Sequence, residues 1–118
     1  MNKKIKKRWV EALRSGKYKQ GKNVLRDVDN NFCCLGVLCN LHAQVHPESA
    51  KEETNPNHYM GKFSFLPKEV ALWAEFTDEE WEETLIGVDV GTPEGSLSLL
   101  NDAGYNFKRI AKVIDRYL

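Results

Sequence analysis

Residues 31–42, NFCCLGVLCNLH, place all three cysteines of the chain within seven residues of an almost unbroken apolar run. A helix that is apolar on every side has no face to give to water, so it must lie at the centre of a core with other elements around it. Asn31 has the chemistry of an N-cap and Pro47 closes the segment, which predicts a helix from Phe32 to about Val45. Gly36 inside that helix costs roughly 1 kcal/mol against alanine. Its presence there predicts a neighbouring element that approaches closely. An odd cysteine number with two of them adjacent is a poor disulfide framework, so reduced thiols packed as small apolar side chains are expected.

The remaining elements are read as the shell of that helix. Ile5, Trp9, Ala12 and Leu13 share one face of a helix over residues 3–15, stopped by Gly16. Residues 17–31 break the pattern and read as a loop with a short hairpin strand around Val24–Val28. Residues 46–62 form a polar, turn-rich loop, after which Phe63 and Phe65 alternate as in a short strand. Pro67 opens a helix that buries Val70 and Trp73. Thr77-Asp78-Glu79-Glu80 is a capping box for a short acidic helix presenting Trp81 and Leu85, and Thr92-Pro93-Glu94 repeats the start signal ahead of SLSLLNDAG. Asn106 caps a final amphipathic helix with Phe107, Ile110, Ala111, Ile114 and Leu118 on its inner stripe. The expected fold is α+β: a mainly helical single domain of 118 residues, with a small β-hairpin or short sheet and a buried central helix.

The formal net charge of zero conceals a separation along the chain. Residues 1–26 contain ten Lys and Arg against Glu11 alone, whereas residues 69–102 contain ten acids and no Lys or Arg. The balanced total argues against non-specific nucleic-acid binding. Two readings follow: the segments lie near one another and partly neutralise or are solvated faces, or the basic one attracts a phosphate-bearing ligand and the acidic one repels it or meets a basic partner. No run of about 18 apolar residues is present to span a membrane. The start, MNKKIKKRWVEALRSG, lacks the apolar stretch of a signal peptide, so a cytoplasmic protein is expected.

ALRSGKYKQG at 12–21, FCCLGVLC at 32–39, LPKEVALW at 66–73 and LNDAGYNFKRIAKVI at 100–114 together resemble a group of small proteins encoded by tailed bacteriophages and prophages. The resemblance covers most of the chain outside residues 46–62 and 75–95. It implies a setting, the bacterial host cytosol and the countering of host defences, and brings no catalytic residues or cofactor with it.

Four constellations compete for chemistry. Cys39, His42 and His46 lie within about 60° on a helix and are reasonable zinc ligands, but they need a fourth donor such as His58 or Cys34. Cys33 or Cys34 in a first helical turn has the position of a hydrolase nucleophile, with His58 as base and Asp102 as orienter; apolar surroundings work against it by raising the thiol pKa. LNDAGYNFKRIAKVIDRYL imitates the first half of a helix-turn-helix, yet the recognition helix would have to follow Leu118, so DNA reading by this element is not expected. The fourth is the basic loop. Arg14, Lys17, Lys22 and Arg26 supply cations, Ser15, Gln20 and Asn23 supply polar donors, and Gly16 and Gly21 let backbone N–H groups turn toward an anion. Trp9 and Tyr18 are placed to stack on a base. It is not a Walker loop, because Lys22 is followed by Asn23 and no strand precedes it.

The leading expectation is a non-enzymatic, cofactor-free protein that sequesters a phosphorylated small molecule, such as a nucleotide immune signal, through Trp9, Arg14, Ser15, Lys17, Tyr18, Gln20, Lys22, Asn23 and Arg26. Docking of the acidic face from Glu75 to Glu83 around Trp81 on a host protein is the second. A Cys-His hydrolase is the third. Assembly into a homo-oligomer with pockets between subunits suits a sequestering protein of this size.

Overall fold

Asn2 begins the first helix: its Oδ1 accepts from the Ile5 N–H at 3.0 Å, and helix α1 runs Lys3–Arg14 with Gly16 in the left-handed region just beyond. The computed structural model describes residues 1–51, 55, 57–78 and 96–118. Further helices follow as α2 (Cys34–Val45), α3 (Pro47–Lys51), α4 (Lys68–Trp73), α5 (Leu97–Asp102) and α6 (Phe107–Tyr117). The helix expected from Thr77 falls outside the described residues beyond Asp78, as do Trp81, Leu85 and the start signal at Thr92.

Helix α2 is the centre. It touches α1, α3, α4 and α5, and Cys34, Leu35, Val37, Leu38 and Cys39 are each no more than 3% exposed. Helix α1 covers one side through Trp9, whose Nε1 donates to the Cys34 carbonyl at 3.0 Å, and α1 packs most extensively on α6. Asn106 caps α6 by accepting from the Arg109 N–H at 2.9 Å, and Phe107, Ile110, Ala111 and Ile114 go into the core as their spacing predicts. The buried side chains of α1, α2, α4, α5 and α6 form a single cluster. None of the described helices is long and apolar enough to cross a membrane.

Three sequence expectations are corrected, the first being the 46–62 loop, whose residues 47–51 form helix α3 with Glu48 in its first turn. Helix α2 starts two residues late: the N-cap is Cys33, whose Sγ accepts from the Gly36 N–H at 3.4 Å, because Asn31 is already committed elsewhere. Asp27 Oδ1 accepts from both the Asp29 and Asn31 N–H groups at 2.9 Å, and its Oδ2 from the Asn31 amide, a side-chain-organised turn that outcompetes the cap. The expected hairpin is not confirmed. In its place are isolated bridges, Gln20 and Arg26 each to Phe32 and Tyr59 to Lys62. Asn23 and Asn30 take positive φ, and those kinks prevent consecutive pairs from forming. Phe63 and Phe65 remain about half exposed in bends.

Residues 17–33 thus form an irregular arm laid across the start of α2, and the close approach predicted by Gly36 is to this arm. A Cβ at position 36 would lie 1.8 Å from the Leu25 carbonyl oxygen. The arm is fastened at its far side by the LND sequence. Asn101 is fully buried: its Oδ1 accepts from Gln20 Nε2 at 2.9 Å and the Cys34 N–H at 3.2 Å, and its Nδ2 donates to the Gly21 carbonyl at 2.8 Å. Asp102 Oδ1 accepts from the Asn23 N–H at 2.9 Å, and the Tyr105 carbonyl accepts from Gln20. One buried amide therefore satisfies the arm and the first turn of α2 together.

Candidate functional site

The arm does not lie flush on α2 along its whole length. Between Leu25, Arg26 and Phe32 of the arm, Gly36, Cys39, Asn40 and Ala43 of α2, and residues Ala50, Asn55 and Asn57–Tyr59, a cleft of about 120 Å³ remains. That is somewhat below the roughly 150 Å³ of a cavity that admits one benzene ring. The buried lining is Leu25, Phe32, Gly36, Cys39 and Tyr59, while Arg26 and Asn55 are exposed and Asn40, Asn57 and His58 half-buried. Such a cleft has an apolar floor and a rim of amides, one guanidinium and one imidazole. The Arg26 guanidinium stands 5.5 Å from the centre of the Phe32 ring and its Nε donates to Asn30 Oδ1. Behind this wall, Tyr18 packs edge-on against Phe32 at 5.2 Å and its OH donates to Asn40 Oδ1.

Of the nine residues singled out in the basic loop, only Arg26 lines this cleft, with Tyr18 directly behind it. Trp9 is fully buried against Phe76 and offers no face to a base, so its stacking role is corrected to a core role. Gln20 and the Asn23 N–H are committed to the Asn101–Tyr105 clasp, and the Gly21 N–H donates to the Phe32 carbonyl, which removes the donors an anion nest would need. Ser15 Oγ donates to the Ala12 carbonyl at the end of α1. Arg14, Lys17 and Lys22 are exposed. Asn55 and Asn57 carry no sequence signal for this role because they read locally as turn residues, and Asn40 reads as one polar position on the buried helix; only long-range contact brings the three amides to one rim.

The family described as a domain of unknown function, DUF8296, matches residues 1–118. The chain belongs to this family. No curated protein and no solved structure matches it.

In this DUF8296 chain the thiols are placed as packing groups. Burial pushes the Cys33 thiol up to about 11 and holds Cys34 and Cys39 well above their usual range, so all three are protonated near neutral pH. Cys34 Sγ points at the Leu97 carbonyl, 3.6 Å away. His58, the expected base, sits in the cleft beside the Phe63 ring, and the thiol that shares the cleft with it is Cys39 rather than Cys33 or Cys34. Asp102 is hydrogen-bonded to the Asn23 N–H and Asn101. Among the described residues no three His, Cys, Asp or Glu side chains are grouped so as to hold a metal ion, Cys39, His42 and His46 included.

His42 instead belongs to an aromatic cluster that anchors the cleft's outer segment. Its Nδ1 lies 2.5 Å from the Tyr59 OH, and the His46 and Trp73 rings are 4.6 and 5.2 Å away. Burial, then the neighbouring His46, lowers the His42 pKa against the opposing pull of Glu69 and Glu48, which favours a neutral imidazole hydrogen-bonded to the Tyr59 OH. Tyr59 itself is pushed up to about 12, chiefly by burial. Unfolded His42 takes a proton below its ordinary 6.5, whereas folded His42 resists it to lower pH. This contribution to stability is therefore complete above pH 6.5 and is lost as the pH falls. Urea midpoints should drop from about pH 7 to pH 5, and His42→Gln should flatten that dependence. An unchanged slope in the variant would assign the loss to other groups.

Proposed function

We propose that this protein is a binder, not a catalyst, of a small phosphorylated molecule with a planar ring, in the class of nucleotides and nucleotide-derived signals. The observation that carries this reading is the Arg26 guanidinium beside Phe32 at the mouth of a cleft with room for the edge of a single ring, rimmed by Asn40, Asn55, Asn57 and His58. Amides and imidazole suit the donor and acceptor edge of a base, and the guanidinium suits a phosphate. The cleft is too small for a whole nucleotide, so the phosphate rests outside it, on the side of Arg26. Burial of the three thiols, the strongest nucleophile candidates, supports retention of the ligand over its turnover. In the phage setting implied by the sequence resemblance, such retention removes a host signal from circulation.

Calorimetric titration of mono-, di- and cyclic nucleotides tests this. Arg26→Ala should weaken the binding nucleotide about 10- to 100-fold, the range for losing a charge-assisted hydrogen bond to phosphate. Thermal melting of the same variant checks that the Asn30 contact is not what was lost. Silence across the whole panel, or an Arg26→Ala protein that binds as well as the parent, would refute the proposal.

A further inference from the structure

Fourteen of the seventeen Lys and Arg lie in residues 1–26 and 107–118, and those two segments hold only two acids, Glu11 and Asp115. The segments are far apart in sequence, but α1 and α6 pack on each other more extensively than any other pair of the described helices. The apolar stripes of both face inward, through Trp9, Val10 and Leu13 of α1 and Ile110, Ala111 and Ile114 of α6. What the pair shows to solvent is mainly cationic: Lys3, Lys4, Lys7, Arg8 and Arg14 on α1, and Lys108, Arg109, Lys112 and Arg116 on α6, against the exposed acids Glu11 and Asp115. Of these cations, we take the eight other than Arg14 as the contact set. None of these eight forms a salt bridge among the described residues. Zero net charge is a property of the whole chain, and here it hides a one-sided distribution.

We infer that the exposed faces of α1 and α6 together form a docking surface for the phosphate backbone of a double-helical nucleic acid. Each helix is about 17 Å long at 1.5 Å per residue, so the cations are spread over several phosphates and not gathered on one small anion. Backbone contacts need cations and no apolar anchor, and they carry no base sequence. This surface has that composition: its one large apolar side chain is Tyr117, at the end of α6. A lipid surface is a poorer match, because interfacial helices insert an apolar face and both of these are spent in the core. A protein partner is poorer too, since interfaces concentrate their energy in buried aromatic and aliphatic anchors. The surface is separate from the cleft and reads no sequence, so it does not revive a helix-turn-helix.

Fluorescence anisotropy with a labelled duplex of about 20 base pairs, as DNA and as RNA, tests it. With about four phosphates engaged, affinity should fall about 100-fold between roughly 50 and 200 mM salt and be indifferent to base sequence. The charge reversals Lys7→Glu, Arg8→Glu, Lys112→Glu and Arg116→Glu together should abolish binding, while Lys51→Glu with Lys62→Glu, on other elements, should leave it intact. Should the fourfold variant fail to fold by circular dichroism, the milder pair Lys7→Gln and Lys112→Gln should still weaken binding and shallow the salt slope. No binding of either duplex at low salt overturns the inference. So does equal loss from the two sets of reversals, or tighter binding to phosphatidylserine vesicles than to the duplex.

Discussion

Replacing Gly36 with alanine should cost about 3 kcal/mol of stability, the upper end of ordinary overpacking. The reason is that the obstacle is main chain. The new Cβ would meet the Leu25 carbonyl oxygen at 1.8 Å and its carbon at 2.7 Å, and no side-chain rotation relieves that. Intrinsic helix propensity pushes the other way, since alanine is better than glycine by roughly 1 kcal/mol in a helix. Comparing Gln44→Ala with Gln44→Gly, at an exposed site on the same helix, gives the Ala-over-Gly propensity difference alone, so the two effects separate in urea titrations. A Gly36→Ala protein as stable as the parent would mean that the arm does not lie where it is described. Leu25 and Gly36 both line the cleft, so ligand affinity should fall with stability.

Asn101→Ala should destabilise the fold by a comparable amount, about 2 to 4 kcal/mol, by a different route. It strips partners from the Cys34 N–H and the Gly21 carbonyl at once, and a buried polar group left unsatisfied costs about 1–3 kcal/mol. Loss of the clasp should be visible locally as well as globally. Amide exchange at Gly21, Asn23 and Phe32 should accelerate well beyond that of the α6 amides, because the arm is released while α1 and α6 stay packed. Uniform acceleration across both regions would show that Asn101 supports the whole core and not the arm in particular.

Helices α1 and α6 were legible because each carries a boundary signal, Gly16 after α1 and Asn106 before α6, and an inward stripe at helical spacing. The same spacing already contained the correction for Trp9: sharing a face with Ile5 and Leu13 commits its ring to the core, whatever charges lie near it in sequence. Gly36 announced a close approach but not by what, since the partner, Leu25, comes from a segment without periodicity. The cap of α2 was misplaced because Asn31 belongs to a different turn: Asp27, four residues before it, accepts from the Asn31 backbone N–H and side-chain amide, a side-chain-organised turn that a linear reading ranks below a standard cap. The cleft was least legible of all. It exists only where residues 25–32 meet residues 55–59 across α2, and neither segment signals the other.

The fastening of the arm also sets the order in which the chain can fold. Gln20 and Gly21 are joined to Asn101 and Tyr105 across 80 to 85 positions, and α6, the main helical partner of α1, lies later still. Non-local closures of this kind are slow, and the chain emerges from the ribosome N-terminus first. During synthesis Trp9, Leu25 and the apolar helix α2 are exposed until residues 97–117 follow them out. Folding is therefore committed late, and the nascent species that a chaperone or protease meets is one whose most apolar helix is still uncovered.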